Sequence, residues 1–127
     1  MYLLSLEEVL YIHQAEISLV SHDPRIRDIG LLQSAIENIK LIVENNYETC
    51  IFKVASYYIK YISLNHPFID ANKRTALAAS LVFLEINGFS IEEKNPEDLA
   101  NLVLKFIEKE INENDLADYF MKNSINN

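Results

Sequence analysis

Glycine is nearly absent from this chain: 127 residues contain two, Gly30 and Gly88, beside three prolines. Turns that need a positive φ must therefore be few. That disfavours sandwiches and barrels of many short strands and favours helices joined by short connections. The same scarcity excludes a Gly-x-Gly-x-x-Gly or Walker loop, so a phosphate site here must be built another way. The length suits one domain over residues 1–127, with a core that needs neither disulfide nor metal. Half of the residues are hydrophobic and 24% are charged, which argues against disorder.

Apolar spacing supplies the helices. Ser5-Leu-Glu-Glu8 reads as a capping box, and Val9, Ile12, Ile17 and Val20 follow at helical intervals. Ser21-His-Asp-Pro-Arg25 reads as a turn, and Asp28 as the cap of a second helix whose buried face is Leu32, Ile36, Ile39 and Val43, ending at Asn45-Asn46. Thr49 is expected to cap a third helix over residues 50–64, with Phe52, Ala55, Ile59 and Ile62 inside. Pro67 pushes His66 out of the α region and ends it. A fourth helix runs from a loop at Ala71 to about Asn87, with Ala76, Ala79, Val82, Phe83 and Ile86 on its inner face and Gly88 as the left-handed residue after it. Small side chains on several of its faces (Ala76, Ala78, Ala79, Ser80) place it in the middle of the bundle. Residues 89–94 read as extended, forming a short strand or none. Asn95-Pro96-Glu97-Asp98 opens a fifth helix striped by Leu99, Leu102, Val103, Phe106 and Ile107, and a last short helix covers Asp115–Met121. The expected class is all-α, a compact bundle of about six helices.

Several functions are disfavoured by composition. The net charge is −8, so a nucleic-acid partner, which needs clustered Lys and Arg, is not expected. No apolar run approaches the roughly 20 residues of a membrane span. Cys50 is the single cysteine, which excludes an intrachain disulfide and a multi-cysteine zinc site and fits a reducing compartment. Residues 1–8 lack the basic region of a signal peptide and meet acids at once, so the expectation is a cytoplasmic protein.

Against this acidic background one segment stands out: His66-Pro-Phe-Ile-Asp-Ala-Asn-Lys-Arg-Thr-Ala76. Lys73 and Arg74 open a helix, where the dipole disfavours cations by ~0.3–1 kcal/mol each. An anion between them, met by free backbone N–H groups, would account for the placement; a solvated basic face is the plainer reading. Asp70 suits an N-cap of the fourth helix, or one ligand of a hard cation such as Mg²⁺, which takes one or two carboxylates plus phosphate oxygens. Phe68 reads as a core anchor that clamps the loop. His66 is either a packing or surface residue or, beside a phosphate, a general base toward a hydroxyl.

This segment resembles the signature of the Doc (death-on-curing) toxins within the Fic/Doc superfamily. The resemblance extends to the Ser-x-Glu-Glu start, to Arg27-Asp28-Ile-Gly30-Leu-Leu-Gln-Ser34-Ala35 and to Leu81-Val-Phe-Leu84 followed by Asn87-Gly88. It implies the Fic/Doc bundle, with a central helix preceded by the motif loop. It implies His66 as the base that deprotonates a target hydroxyl, Asp70 as the Mg²⁺ ligand, and Asn72, Lys73 and Arg74 as ATP phosphate ligands. Fic relatives with Gly at the position of Lys73 and a further Arg at that of Leu77 transfer AMP; the Doc branch, with Lys and without that Arg, moves the γ-phosphate to a threonine of elongation factor Tu and stops translation. The resemblance also implies a Phd-type antitoxin whose disordered segment folds into a groove on the toxin. Two departures are visible. Leu64 stands where many Doc proteins carry Arg, and Ser21-His22-Asp23-Pro24 replaces a Gly-Gly pair. The competing readings are AMP transfer by the same fold and a silent module that only engages an antitoxin.

Overall fold

The structure is a computed structural model that describes residues 1–20 and 23–127. Among these residues it contains six helices and one small sheet: α1 (Leu6–Val20), α2 (Ile29–Glu44), α3 (Ile51–Asn65), α4 (Asn72–Ile86), β1 (Phe89–Ile91), α5 (Pro96–Ile107), α6 (Glu113–Lys122) and β2 (Ser124–Asn126). The helical bundle expected from the sequence is the fold observed.

Most helix ends follow local chemistry. Ser5 Oγ accepts from the Glu8 N–H at 3.2 Å while Glu8 Oε1 accepts from the Ser5 N–H at 3.0 Å, so the capping box closes in both directions. Asp28 caps α2 through the Leu31 N–H at 3.2 Å, and Asn95 caps α5 through the Glu97 N–H at 3.1 Å, with proline at its start. Gly88 follows α4 with φ +96°. Thr49 does not cap α3. Cys50 holds that position without a side-chain bond, and the Glu48 carboxylate accepts from the N–H groups of both Thr49 and Cys50, each at 3.1 Å. The last helix is longer than expected, because Asn112 and Asp115 close a second capping box ahead of it. The extended segment after α4 is a strand with a partner that the apolar pattern did not reveal: β1 pairs antiparallel with β2, Ser90 opposite Ile125. The turn expected at 21–25 lies partly outside the described residues.

The core gathers around α3 and α4, which pack against each other along their lengths. α2 and α6 flank α3, while α1, α5 and β1 flank α4. Thr75, Ala76, Ala79, Ser80, Phe83 and Leu84 of α4 are all buried, as befits a helix covered on several sides. Ile86, expected on the inner face, is 41% exposed, because Phe83 and Leu84 take the buried arc of the last turn. Among the described residues no helix is long and apolar enough to cross a membrane.

Tyr58 ties the chain start to this core. It is 1% exposed, lies against Phe83, and its hydroxyl accepts from the Leu4 N–H at 2.9 Å. Burial pushes the phenol up to about 12, so it stays protonated. Replacing Tyr58 with Phe leaves the Leu4 N–H unsatisfied. The expected loss is about 1–3 kcal/mol of stability by urea denaturation; an unchanged midpoint would show that this bond does not hold the N-terminus.

Candidate active site

The motif residues converge on the six residues that link α3 to α4. Both ends of this link are non-glycine residues in the left-handed region, His66 at φ 47° and Ala71 at φ 67°. Each such conformation costs about 1–3 kcal/mol and persists only where neighbours over-determine it. Proline after His66 removes the right-handed alternative at that end.

Three sets of contacts impose the loop's shape. The first is internal: Asn72 Oδ1 accepts from the Phe68 N–H at 3.0 Å, and Asn72 Nδ2 donates to the Phe68 carbonyl at 2.9 Å. The second comes from the chain before α2. The N–H groups of Arg27 and Asp28 donate to the Pro67 carbonyl at 2.8 and 2.9 Å, and the Ile69 N–H donates to the Arg25 carbonyl at 3.2 Å. The Arg27 guanidinium adds bonds to the carbonyls of His66 at 2.7 Å and Asn65 at 3.0 Å. The third comes from α1. His13, 3% exposed, lies flat on the Phe68 ring with centroids 3.7 Å apart, and its Nε2 donates to the Asp70 carbonyl at 3.0 Å.

Held this way, the link and the first turn of α4 enclose an open pocket of about 320 Å³ lined by His66, Ile69, Asp70, Ala71, Asn72, Lys73 and Arg74. His66 and Lys73 are exposed, while Asp70 and Arg74 are half-buried. A larger concavity of about 610 Å³ lies over α2, but Glu37 is the one ionisable side chain among its lining residues. Size therefore does not mark the site; the gathering of charge does. The N–H groups of the first α4 turn have no acceptor within the helix and face the same end as the two cations.

Each expected residue has a definite place. Phe68 is 1% exposed and anchors the loop. Asp70 is not the cap of α4: Ala71 holds that position, and Asp70 Oδ2 accepts from the Asp23 N–H at 3.1 Å. The nearby Asp23 carboxylate is engaged by Arg25, whose hydrogen bonds hold it down at about 2. Asn72, expected as a phosphate ligand, has its side-chain amide committed to the loop, so what it offers the pocket is its backbone N–H. Arg74 reaches Glu16 of α1, Nη2 to Oε2 at 3.6 Å, whereas among the described residues no carboxylate pairs with Lys73.

Three positioning residues escaped the sequence reading. His13 carried a signal, since it sits between Val9 and Ile17 at four-residue intervals in an apolar stripe where a polar residue calls for a partner. Arg27 opens the Arg27–Ala35 stretch that resembles the family, but nothing local assigns it to the His66 carbonyl. Glu16 carries no local signal that would set it apart from the other acids of α1.

Fold and site together define a helical bundle that presents a basic helix start beneath an exposed histidine. Comparison with known proteins agrees. The Fic/DOC family model matches residues 3–84. The chain is 35% identical over 115 residues to Protein kinase doc of Escherichia phage P1, spanning 91% of this chain and 90% of that one. It is 33% identical over 84 residues to Toxin Doc of Mycolicibacterium smegmatis, spanning 62% of this chain and 65% of that protein. The chain belongs to the Fic/Doc family.

Burial lowers the His13 pKa below its usual 6.5, against the opposing pull of the Asp70 carbonyl and charge. The unfolded chain therefore takes up this proton first as pH falls. The stabilisation is present in full above about pH 6.5 and is lost as pH drops through the lower folded value. His13→Phe keeps the stacking but strands the Asp70 carbonyl. It should cost about 1–3 kcal/mol at neutral pH and flatten the fall in melting temperature between about pH 7 and 5. An unaltered pH profile would show that His13 does not carry that dependence.

Proposed function

We propose that this protein is the toxin of a toxin–antitoxin pair and acts as an ATP-dependent protein kinase on a Thr or Ser hydroxyl, with elongation factor Tu as the target. The observation that supports this best is the pocket itself. An exposed imidazole, a carboxylate, two cations and a row of free N–H groups share one rim around a helix start.

The chemistry follows from those groups. His66 accepts the proton of the incoming hydroxyl. The hydroxyl oxygen attacks the γ-phosphorus, a new O–P bond forms, the bond from that phosphorus to the β-bridging oxygen breaks, and ADP departs. Lys73, Arg74 and the first-turn N–H groups of α4 hold the phosphates and stabilise their charge, which is most of what phosphoryl transfer asks of a protein. Asp70 fits a magnesium ion. One of its oxygens serves the Asp23 N–H and the other remains for a cation that takes few carboxylates and draws its other ligands from phosphate and water. That ion, when bound, neutralises phosphate charge.

Lys73 supports γ-phosphate rather than AMP transfer. Its side chain stands on the pocket wall where a glycine would leave the backbone open to phosphate oxygens, and Leu77 supplies no second guanidinium. The protein partner that restrains the toxin is a Phd-type antitoxin, and a cytoplasmic setting follows from the target. Exposed apolar side chains on α1, Tyr11 and Leu19, each 74% exposed, offer such a partner a place to dock.

The test is incubation of the purified chain with elongation factor Tu and ATP labelled at either the α or the γ position. Label should pass to the target from the γ position alone, and His66→Ala should lower transfer at least about 100-fold, the scale of a lost general base, while melting at the wild-type temperature. Transfer of the α label would replace the kinase reading with AMP transfer. Growth arrest by the His66→Ala variant would favour a binding mechanism.

A further inference from the structure

Arg74 occupies a position that electrostatics disfavours, the positive end of α4 next to Lys73. In the ligand-free protein its guanidinium has a partner from another element: the Glu16 carboxylate of α1 at 3.6 Å. Glu16 lies one turn beyond His13, which bonds the Asp70 carbonyl, so the same face of α1 meets the pocket twice. The two contacts differ in kind. His13 is buried and its bond is short, whereas the Glu16 and Arg74 side chains keep 23% and 41% of their exposure, and 3.6 Å exceeds hydrogen-bond distance. The carboxylate is thus close enough to attract Arg74 and too loosely held to fix it.

We propose that Glu16 is the resident counter-ion of Arg74 and competes with the polyphosphate of the nucleotide for it, so that α1 sets how tightly the pocket holds its substrate. This rests on the reading of the pocket as a polyphosphate site. A phosphate arriving at the start of α4 meets a negative charge already placed on its main cation. Binding must either displace the carboxylate or share the guanidinium with it while the two anions repel. Because the pair is loose and partly solvated, the effect is a modest tuning of affinity rather than a block. Glu16 is a positioning residue in this account: it acts through Arg74 and does not touch the reacting atoms.

The test is calorimetric titration of inorganic tripolyphosphate and of MgATP into the full chain, as wild type and as Glu16→Gln, and into both forms in an Arg74→Gln background. Glu16→Gln should bind each probe about two- to fivefold more tightly, the range expected of a part-exposed ion pair. The gain should vanish in the Arg74→Gln background. In the transfer assay the same substitution should lower the KM for ATP and leave kcat unchanged. Equal or weaker binding by Glu16→Gln, with wild-type binding intact, overturns the competition and leaves the polyphosphate site standing. A gain that persists without Arg74 overturns it too, since the effect would then be diffuse charge. If none of the forms binds either probe, the polyphosphate reading falls and this inference falls with it.

Discussion

The ring of Phe68 is the interaction on which the site depends. It is the one large apolar side chain of the motif loop driven into the core, and it is also where the loop's other restraints meet. Its N–H and carbonyl are both taken by the Asn72 side chain, and its face is covered by His13. Burying a phenylalanine gains about 1.5–3 kcal/mol, roughly what a single left-handed non-glycine residue costs. The loop has two such residues, His66 and Ala71. Apolar burial alone therefore cannot hold it. The bonds from Arg27, Asn72 and His13 are required, and each is spent on backbone, which leaves the side chains of His66, Asp70, Lys73 and Arg74 at the pocket.

The charge arrangement gains meaning against the whole chain. A net charge of −8 makes a neighbouring pair of cations at a helix start conspicuous, and the dipole makes it unfavourable. The structure relieves only part of that cost. Glu16 stands by Arg74, Asp70 lies on the same rim, and Asp23, which could have added a third carboxylate, is held by Arg25 instead. Two cations, two carboxylates and the positive end of the α4 dipole are thus gathered at the mouth of one pocket in an otherwise acidic molecule.

Much of this was legible in the sequence, and the boundary has a physical reason. Helices announced by caps and stripes, such as those begun by Ser5, Asp28 and Asn95, stand where expected because the determining contacts lie within a few residues. The motif loop was legible for the same reason, since proline after His66 and an apolar anchor at Phe68 act locally. What could not be read depends on partners far along the chain. The segment of β1 read as extended, but whether it forms a strand depends on β2, which returns beside it more than thirty residues later and carried no signal of its own. His13 meets Asp70 and Arg27 meets His66 across separations of 57 and 39 residues. Asn72 has a local partner that its sequence context did not announce. The resemblance implies a phosphate ligand there, and the side-chain amide bonds the backbone four residues earlier, which leaves the Asn72 N–H for the pocket.

The division of labour along the chain follows from these contacts. Every restraint on the loop comes from α1, from the segment before α2, or from Asn72 of α4, and each of these residues lies within the 3–84 stretch that the family model matches. α5, α6 and the sheet contribute no lining residue to the pocket. Their effect is indirect. α6 packs along α3, where Lys60 pairs with Glu113 at 2.9 Å and Lys53 meets Asn114, and α3 carries His66 at its C-terminal end. α5 and β1 also pack on α4, whose small side chains Ala76, Ala79 and Ser80 are buried. If the pocket transfers phosphate, positioning matters more than reactive side chains, so packing on α4 bears on the chemistry. The C-terminal third packs on the helices from which the N-terminal two-thirds build the site.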